Sequence, residues 1–169
     1  GRGFDAPTEL RFGKRVIGLV GMDFLLAKPS LLDVAQYQLT RYAPGNATPE
    51  GFTVLQTIAF DRVLDHAPVP LQLDGMDLRL LFDTGGGHTL HVGAEGRPGD
   101  RVERVQDFEG NVFDIFVGTG TVSFGGPGRL VPVARAPQFP YFEDTVRALG
   151  GNLHGLLGVT SFSHPLLFD

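Results

Sequence analysis

Three observations in the sequence predict an all-β fold, a sandwich or barrel. Short apolar segments recur at 52–60, 69–73, 78–82, 89–92, 112–117, 121–124 and 130–133. Gly, Pro and Asp punctuate the gaps, and short strands set off in this way read as sheet rather than as alternating helix and strand. Only residues 141–149 read as a helix: Glu143 and Asp144 come early, Arg147 late, and Gly150-Gly151 supply a stop.

Composition narrows what such a fold does. At 169 residues, 42% hydrophobic and 20% charged, the chain has material for one sizeable core, or one lobe with an appendage. A net charge of -5 leaves no cluster of Lys and Arg to grip phosphate backbones, which argues against nucleic acid as a partner. With no cysteine, disulfides, thiolate nucleophiles and cysteine-bound zinc are excluded. No run reaches the ~20 apolar residues of a membrane span. The opening Gly1-Arg2-Gly3-Phe4 resembles neither a signal peptide nor a natural start and reads as processed.

The elements follow in order. Residues 1–15 are turn-rich, and 16–26 form an apolar run in which Gly18 and Gly21 mark close backbone approaches. Residues 31–39 alternate roughly and predict one strand. Residues 43–51 hold Pro44, Gly45, Asn46 and Pro49 with no apolar face, the composition of a linker. Within it Asn46-Ala47-Thr48 matches a glycosylation acceptor, a pattern common by chance. Residues 69–77 predict a hairpin, and Glu109-Gly110-Asn111 the tip of another, before the strand at 112–117.

The most informative stretch is Leu78-Arg79-Leu80-Leu81-Phe82-Asp83-Thr84-Gly85-Gly86-Gly87. Its alternation is that of a half-buried strand, which runs into a carboxylate and then into three glycines that let the backbone turn without covering the acid. A solvated turn aspartate is the bland reading; a presented acid is the functional one.

An internal echo gives this stretch a context. Gly18-Leu19-Val20-Gly21 returns 137 residues later as Gly155-Leu156-Leu157-Gly158, and Pro29-Ser30-Leu31-Leu32-Asp33 returns 136 residues later as Pro165-Leu166-Leu167-Phe168-Asp169. A single one-residue deletion aligns both. With a unit of that length, the counterpart of Asp83 would fall some fifty residues ahead of Gly1.

These residues resemble the pepsin and retropepsin-like aspartic proteases. Each lobe of that family carries hydrophobic-hydrophobic-Asp-Thr-Gly and, later, a hydrophobic-hydrophobic-Gly strand packed beside the aspartate loop. Here the elements are Leu81-Phe82-Asp83-Thr84-Gly85 and Leu156-Leu157-Gly158, the second just after the expected helix. Gly21-Met22-Asp23-Phe24-Leu25 is similar to the end of that second element in bacterial members. The resemblance implies an acid-protease β-barrel lobe with one short helix at 52–169, a linker at 43–51, and the C-terminal part of a preceding lobe at 1–42. It implies an aspartic endopeptidase in which Asp83 and a second aspartate share a proton and activate water. Thr84 would hydrogen-bond to the opposing loop, Gly85 and Gly86 would shape the active-site loop, and Leu156, Leu157 and Gly158 would pack against it. The second aspartate would come from an upstream lobe or a homodimer partner. The substrate would be a peptide or protein, with no cofactor and no metal. Export from a bacterial cytoplasm, as in many relatives, is compatible with the absence of cysteine.

One departure opens an alternative. The family follows Asp-Thr-Gly with Ala or Ser, whereas Gly86 and Gly87 stand here, without a hydroxyl partner for the acid. A catalytically impaired lobe that binds peptide or protein is therefore the competing function. Other patterns carry less. His88 and His91 are three apart on a strand and face opposite ways, which disfavours a shared metal. Ser123 lacks the context of a nucleophile elbow, and Gly118-Thr119-Gly120 opens no helix for a phosphate. Phe108, Phe113, Phe116, Phe124, Phe139 and Phe142 read as core, with a subset available to a cleft.

Overall fold

The computed structural model describes residues 21–43, 49–106, 111–139 and 142–169. In order these form α1 (Met22–Leu26), β1 (Ser30–Asp33), β2 (Gln38–Arg41), β3 (Pro68–Leu73), β4 (Met76–Asp83), β5 (Thr89–Val92), β6 (Arg101–Gln106), β7 (Val112–Ser123), β8 (Arg129–Ala136), α2 (Phe142–Ala148), β9 (Gly155–Gly158) and β10 (Leu166–Phe168). A 3-10 turn, Val159–Ser161, follows β9 directly. The protein is mainly β, with a mixed seven-stranded sheet, β3-β4-β9-β5-β8-β7-β6, and a three-stranded sheet, β10-β1-β2. The end of β7 also pairs with β3, at Gln72↔Ser123 and Leu73↔Val122, so the larger sheet curls toward its own first strand.

Local chemistry accounts for the clearest elements. In β3, Val69, Leu71 and Leu73 are buried while Pro70 and Gln72 are exposed, the period of two that one covered face demands. Asp74 and Gly75 both adopt left-handed φ, 54° and 81°, which fits the tight β3–β4 turn to the strand twist. Leu80 and Phe82 of β4 join Val69, Leu73, Val122, Val133 and Leu157 in the main core, to which Leu25 of α1 and Phe168 of β10 also belong. Burial of a side chain such as Leu80 or Leu157 contributes about 1.5–3 kcal/mol each. A second cluster, Leu81, Phe142, Leu149 and Leu153, holds α2 against the other side of β4.

Several expectations change. The apolar run ends as a helix over Met22–Leu26, so α2 is not the only short helix. Residues 31–39 are not one strand: the Gln36 N–H donates to Asp33 Oδ1 (3.0 Å) and Tyr37 takes a left-handed φ of 55°, folding the segment into the β1–β2 hairpin. The segments at 112–117 and 121–124 are one twelve-residue strand, β7. Residues 52–60 form no strand; Phe52, Val54 and Leu55 are exposed there, and Ile58 and Phe60 pack on the main core. Strands β6 and β7 pair antiparallel up to Gln106↔Val112, as a hairpin requires; most of the expected tip, with Phe108, lies outside the described residues. So do Gly18, Leu19, Val20, Asn46, Ala47 and Thr48.

Candidate active site

Asp83 is the last residue of β4, and what holds it is β9. The two strands run parallel in the register Leu81↔Leu156, Phe82↔Leu157, Asp83↔Gly158. On its other edge β9 pairs antiparallel with β5, at Leu90↔Leu156 and His91↔Gly155. Strand β9 is thus inserted between the two strands that flank the aspartate loop. Its alternation divides the two leucines: Leu157 enters the main core, and Leu156 packs on the α2 cluster.

The loop then folds back on its own acid. The Gly85 N–H donates to Asp83 Oδ1 at 2.9 Å, and the Gly86 N–H donates to the Asp83 carbonyl at 3.2 Å. Strand β9 continues into two further ties: the Val159 N–H donates to the Gly86 carbonyl (3.2 Å) and Thr160 Oγ1 to the Gly87 carbonyl (2.7 Å). Beneath them the Thr89 and Ser161 hydroxyls form a short, buried hydrogen bond. Thr160 and Ser161 were not singled out from the sequence. Their signal is two hydroxyl residues immediately after Leu-Leu-Gly-Val, where a strand that only filled a core would continue apolar.

None of Gly85, Gly86 and Gly87 has a left-handed φ. Spacing is what matters at Gly86, where a Cβ would stand 3.1 Å from Asp83 Oδ2 and 3.4 Å from the Gly158 Cα; at Gly87 a Cβ would meet nothing within 4 Å. Gly158 fits more tightly than the loop glycines: its φ of -74° suits any residue, yet a Cβ would lie 2.5 Å from the His88 carbonyl oxygen and 2.8 Å from that of Gly86. Asp83 and Thr84 are half-buried, while Gly85 and Gly87 are exposed. Thr84 and Val159 border a cavity of about 220 Å³ whose other wall is the β1–β2 hairpin, with Leu32, Val34, Tyr37 and Leu39. A larger cavity of about 500 Å³, between the β3–β4 hairpin and residues 123–126, contains no residue of the aspartate loop.

Among the described residues no group of three or more His, Asp and Glu side chains could hold a metal. His88 follows the loop, with a buried Nδ1 that has no hydrogen-bond partner among the described residues. His91 lies on β5, half-buried; burial, then His154, Arg135 and Arg97, holds its imidazole below the ordinary value. Ser123 ends β7 and donates to the Gly126 carbonyl at 2.6 Å.

Gly118-Thr119-Gly120 turns out to serve a buried ion network. Arg135, 2% exposed, donates from Nη1 to Asp100 (3.0 Å) and from Nη2 to Asp74 (3.4 Å) and the Thr119 carbonyl (2.9 Å). A Cβ on Gly118 would run into Asp100, and one on Gly120 would stand 3.0 Å from Asp74 Oδ2. Burial pushes the Asp74 carboxyl up, but the Thr121 N–H and the Arg97 and Arg135 guanidiniums outweigh it and hold it below its ordinary value.

What fold and site define together is a mainly β lobe whose one loop presents an acid seated on an inserted strand. No protein-family model and no curated protein matches the sequence.

Proposed function

We propose that this chain is an aspartic-peptidase lobe of the pepsin and retropepsin kind, with Asp83 as one half of a catalytic carboxylate pair. The observation that carries the reading is the register Asp83↔Gly158, with the loop turned back so that the Gly85 N–H meets the carboxylate. The return of β7 to β3 supports the finer description of residues 52–169 as a closed β-barrel lobe; residues 1–42 are read as the end of another from the sequence echo alone. In the reaction, one carboxylate takes a proton from water as its oxygen attacks the peptide carbonyl. The protonated partner donates to the carbonyl oxygen, and collapse of the tetrahedral intermediate delivers a proton to the leaving amine. Two acids so close cannot both ionise, which is what keeps one proton between them.

Cleavage of a mixed peptide library, blocked by a pepstatin-like compound and by Asp83→Asn, is the expected result. Peptide binding with no cleavage from acid to neutral pH would refute it. That second outcome is the binding-lobe reading, favoured by the absence of a hydroxyl at Gly86 and Gly87, both backbone-only positions around the acid.

A further inference from the structure

Strand β9 seats the aspartate loop, and one residue fastens the head of β9 to both of its neighbours. Carried back two residues, the parallel register that sets Leu81 beside Leu156 brings Arg79 beside His154. The His154 N–H donates to the Arg79 carbonyl (2.9 Å), and the His154 carbonyl accepts the Val92 N–H at the end of β5 (2.9 Å). The Arg79 N–H finds its acceptor in a side chain rather than a carbonyl, donating to Nδ1 of the His154 imidazole at 3.1 Å. An imidazole has taken a place in the ladder.

The chain on either side gives this residue little help. Gly150, Gly151 and Asn152 all take left-handed φ (82°, 83° and 61°), and the first two bond back to α2 through the Arg147 and Val146 carbonyls. Just beyond His154, a Cβ on Gly155 would run into the Leu90 carbonyl, so β9 enters its slot without room to shift. Four residues on, Gly158 stands opposite Asp83.

A neutral imidazole that accepts at Nδ1 carries its proton on Nε2. Histidine gains a second proton within the ordinary range of pH, and here that proton goes to Nδ1, where two donors then point at each other. We propose that His154 is a positioning residue for the Asp83 site and makes it acid-sensitive: proton uptake at Nδ1 breaks the bond to Arg79, frees the head of β9 and loosens the loop on Gly158. The consequence for cleavage rests on reading Asp83 as a catalytic acid; the fastening itself does not.

His154 is half-buried, within reach of water. On β4 the Arg79 guanidinium is held to Asp61 (2.5 Å). On β5 lies His91, which burial, then His154, Arg135 and Arg97, hold below its ordinary value, with Asp74 acting the other way. Strand β9 brings no titratable side chain, and α2 carries Glu143 and the exposed Asp144–Arg147 pair. The acid end of the cleavage profile is then set by His154 rather than by the carboxylates.

Imidazole nitrogen shifts and amide exchange test this on the chain itself, from about pH 7.5 to about 5, with exchange corrected for its intrinsic pH dependence. At the neutral end His154 is expected as the Nε2–H tautomer. As it charges, the Arg79 and Val159 amides are expected to lose about three- to tenfold of their protection, the worth of one hydrogen bond. His154→Asn, whose side-chain oxygen can stand where Nδ1 stood, is expected to keep that protection across the range, and His154→Leu to lack it throughout. His91→Asn is expected to leave the step in place, which assigns it to His154. A proton on Nδ1 at neutral pH, an Arg79 amide that stays protected while His154 charges, or a step that survives in His154→Asn would overturn the proposal. Should His154→Leu fail to fold, the titration and the Asn variant still decide it. With a peptide substrate, His154→Asn is expected to extend cleavage to lower pH through kcat; a profile identical to that of the parent would break the link from His154 to Asp83. No cleavage by either protein, with the exchange results as expected, would sink the peptidase reading and leave the fastening standing.

Discussion

Replacing Gly158 by alanine tests the site most directly, because the backbone there is ordinary and only space is at stake. The added Cβ would lie 2.5 Å from the His88 oxygen, 2.7 Å from the His88 carbonyl carbon and 2.8 Å from the Gly86 oxygen, all backbone atoms that cannot swing aside. Strand β9 or the aspartate loop must move. Overpacking of this kind costs about 1–3 kcal/mol. Weakening the Val159 and Thr160 bonds to Gly86 and Gly87 adds about 0.5–1.5 kcal/mol each, offset by about 0.4–1 kcal/mol from the stiffer unfolded chain. The net is about 2–5 kcal/mol, or a Tm lower by roughly 5–15 °C at this chain length. Thermal unfolding followed by circular dichroism, with exchange of the Val159 amide, reads both effects. Two controls separate space from backbone strain. Gly87→Ala, with open space and no left-handed φ, is expected to be neutral or slightly stabilising; Gly150→Ala, with open space but a φ of 82°, is expected to cost about 1–2 kcal/mol. A Gly158→Ala protein as stable as Gly87→Ala, with an equally protected Val159 amide, would refute the claim that β9 seats the loop.

Removing the buried cation, by Arg135→Leu, leaves Asp74 and Asp100 without it and is expected to cost about 3–5 kcal/mol in urea unfolding. Two groups contribute to the acid limb of stability. The folded value of Asp74 lies below its ordinary 3.8, so its contribution is present above that pH and is lost as pH falls through the lowered value; Asp74→Asn should flatten this part of the profile. His91 is held below its ordinary 6.5, so the unfolded chain takes up its proton first and stability falls as pH drops below 6.5, a slope His91→Asn should reduce. Thr89→Val strands the buried Ser161 hydroxyl and is expected to cost about 1–3 kcal/mol, part of which the double variant with Ser161→Ala recovers.

How far the sequence could be read depended on whether one segment held its own signal. Strand β3 was legible because one covered face imposes a period of two, β4 and β5 because apolar residues stand between turn residues, although β4 is covered on both faces at Leu80, Leu81 and Phe82, and α2 because its charges and glycines agree. The break between β1 and β2 was hidden, since apolar residues continue through the turn; only Asp33, which accepts the Gln36 N–H, marks it. The break expected at Gly118 and Gly120 was false for the opposite reason. Those glycines make room for Asp100 and Asp74 beside Arg135, a demand from residues distant in sequence. Residues 52–60 show the limit of local pattern alone: Phe52, Val54, Ile58 and Phe60 fall on one parity, yet the segment forms no strand and Phe52, Val54 and Leu55 stay in solvent. At the site, Asp83 and Leu156-Leu157-Gly158 were legible as motifs. That Thr160 ties Gly87, and that Thr89 meets Ser161, depends on the β9 register, which no local pattern encodes.

The distribution of cations bears on whether Asp83 could share a proton, as the proposed function requires. Asp61, Asp65, Asp74, Asp100, Glu103, Asp114 and Asp144 each lie within 4.0 Å of an arginine. Asp83 has no such ion pair among the described residues; its Oδ1 accepts a backbone N–H, and its Oδ2 faces the bare Gly86. A fixed guanidinium beside an acid favours the ionised form and would oppose sharing a proton with a second carboxylate. Backbone amides orient the acid without adding a full charge. Introducing a cation at the loop, as in Gly87→Arg, is therefore expected to abolish cleavage with little loss of stability, since the position is open. Activity retained in that variant across the pH range would mean that a shared proton is not what the loop is built to hold.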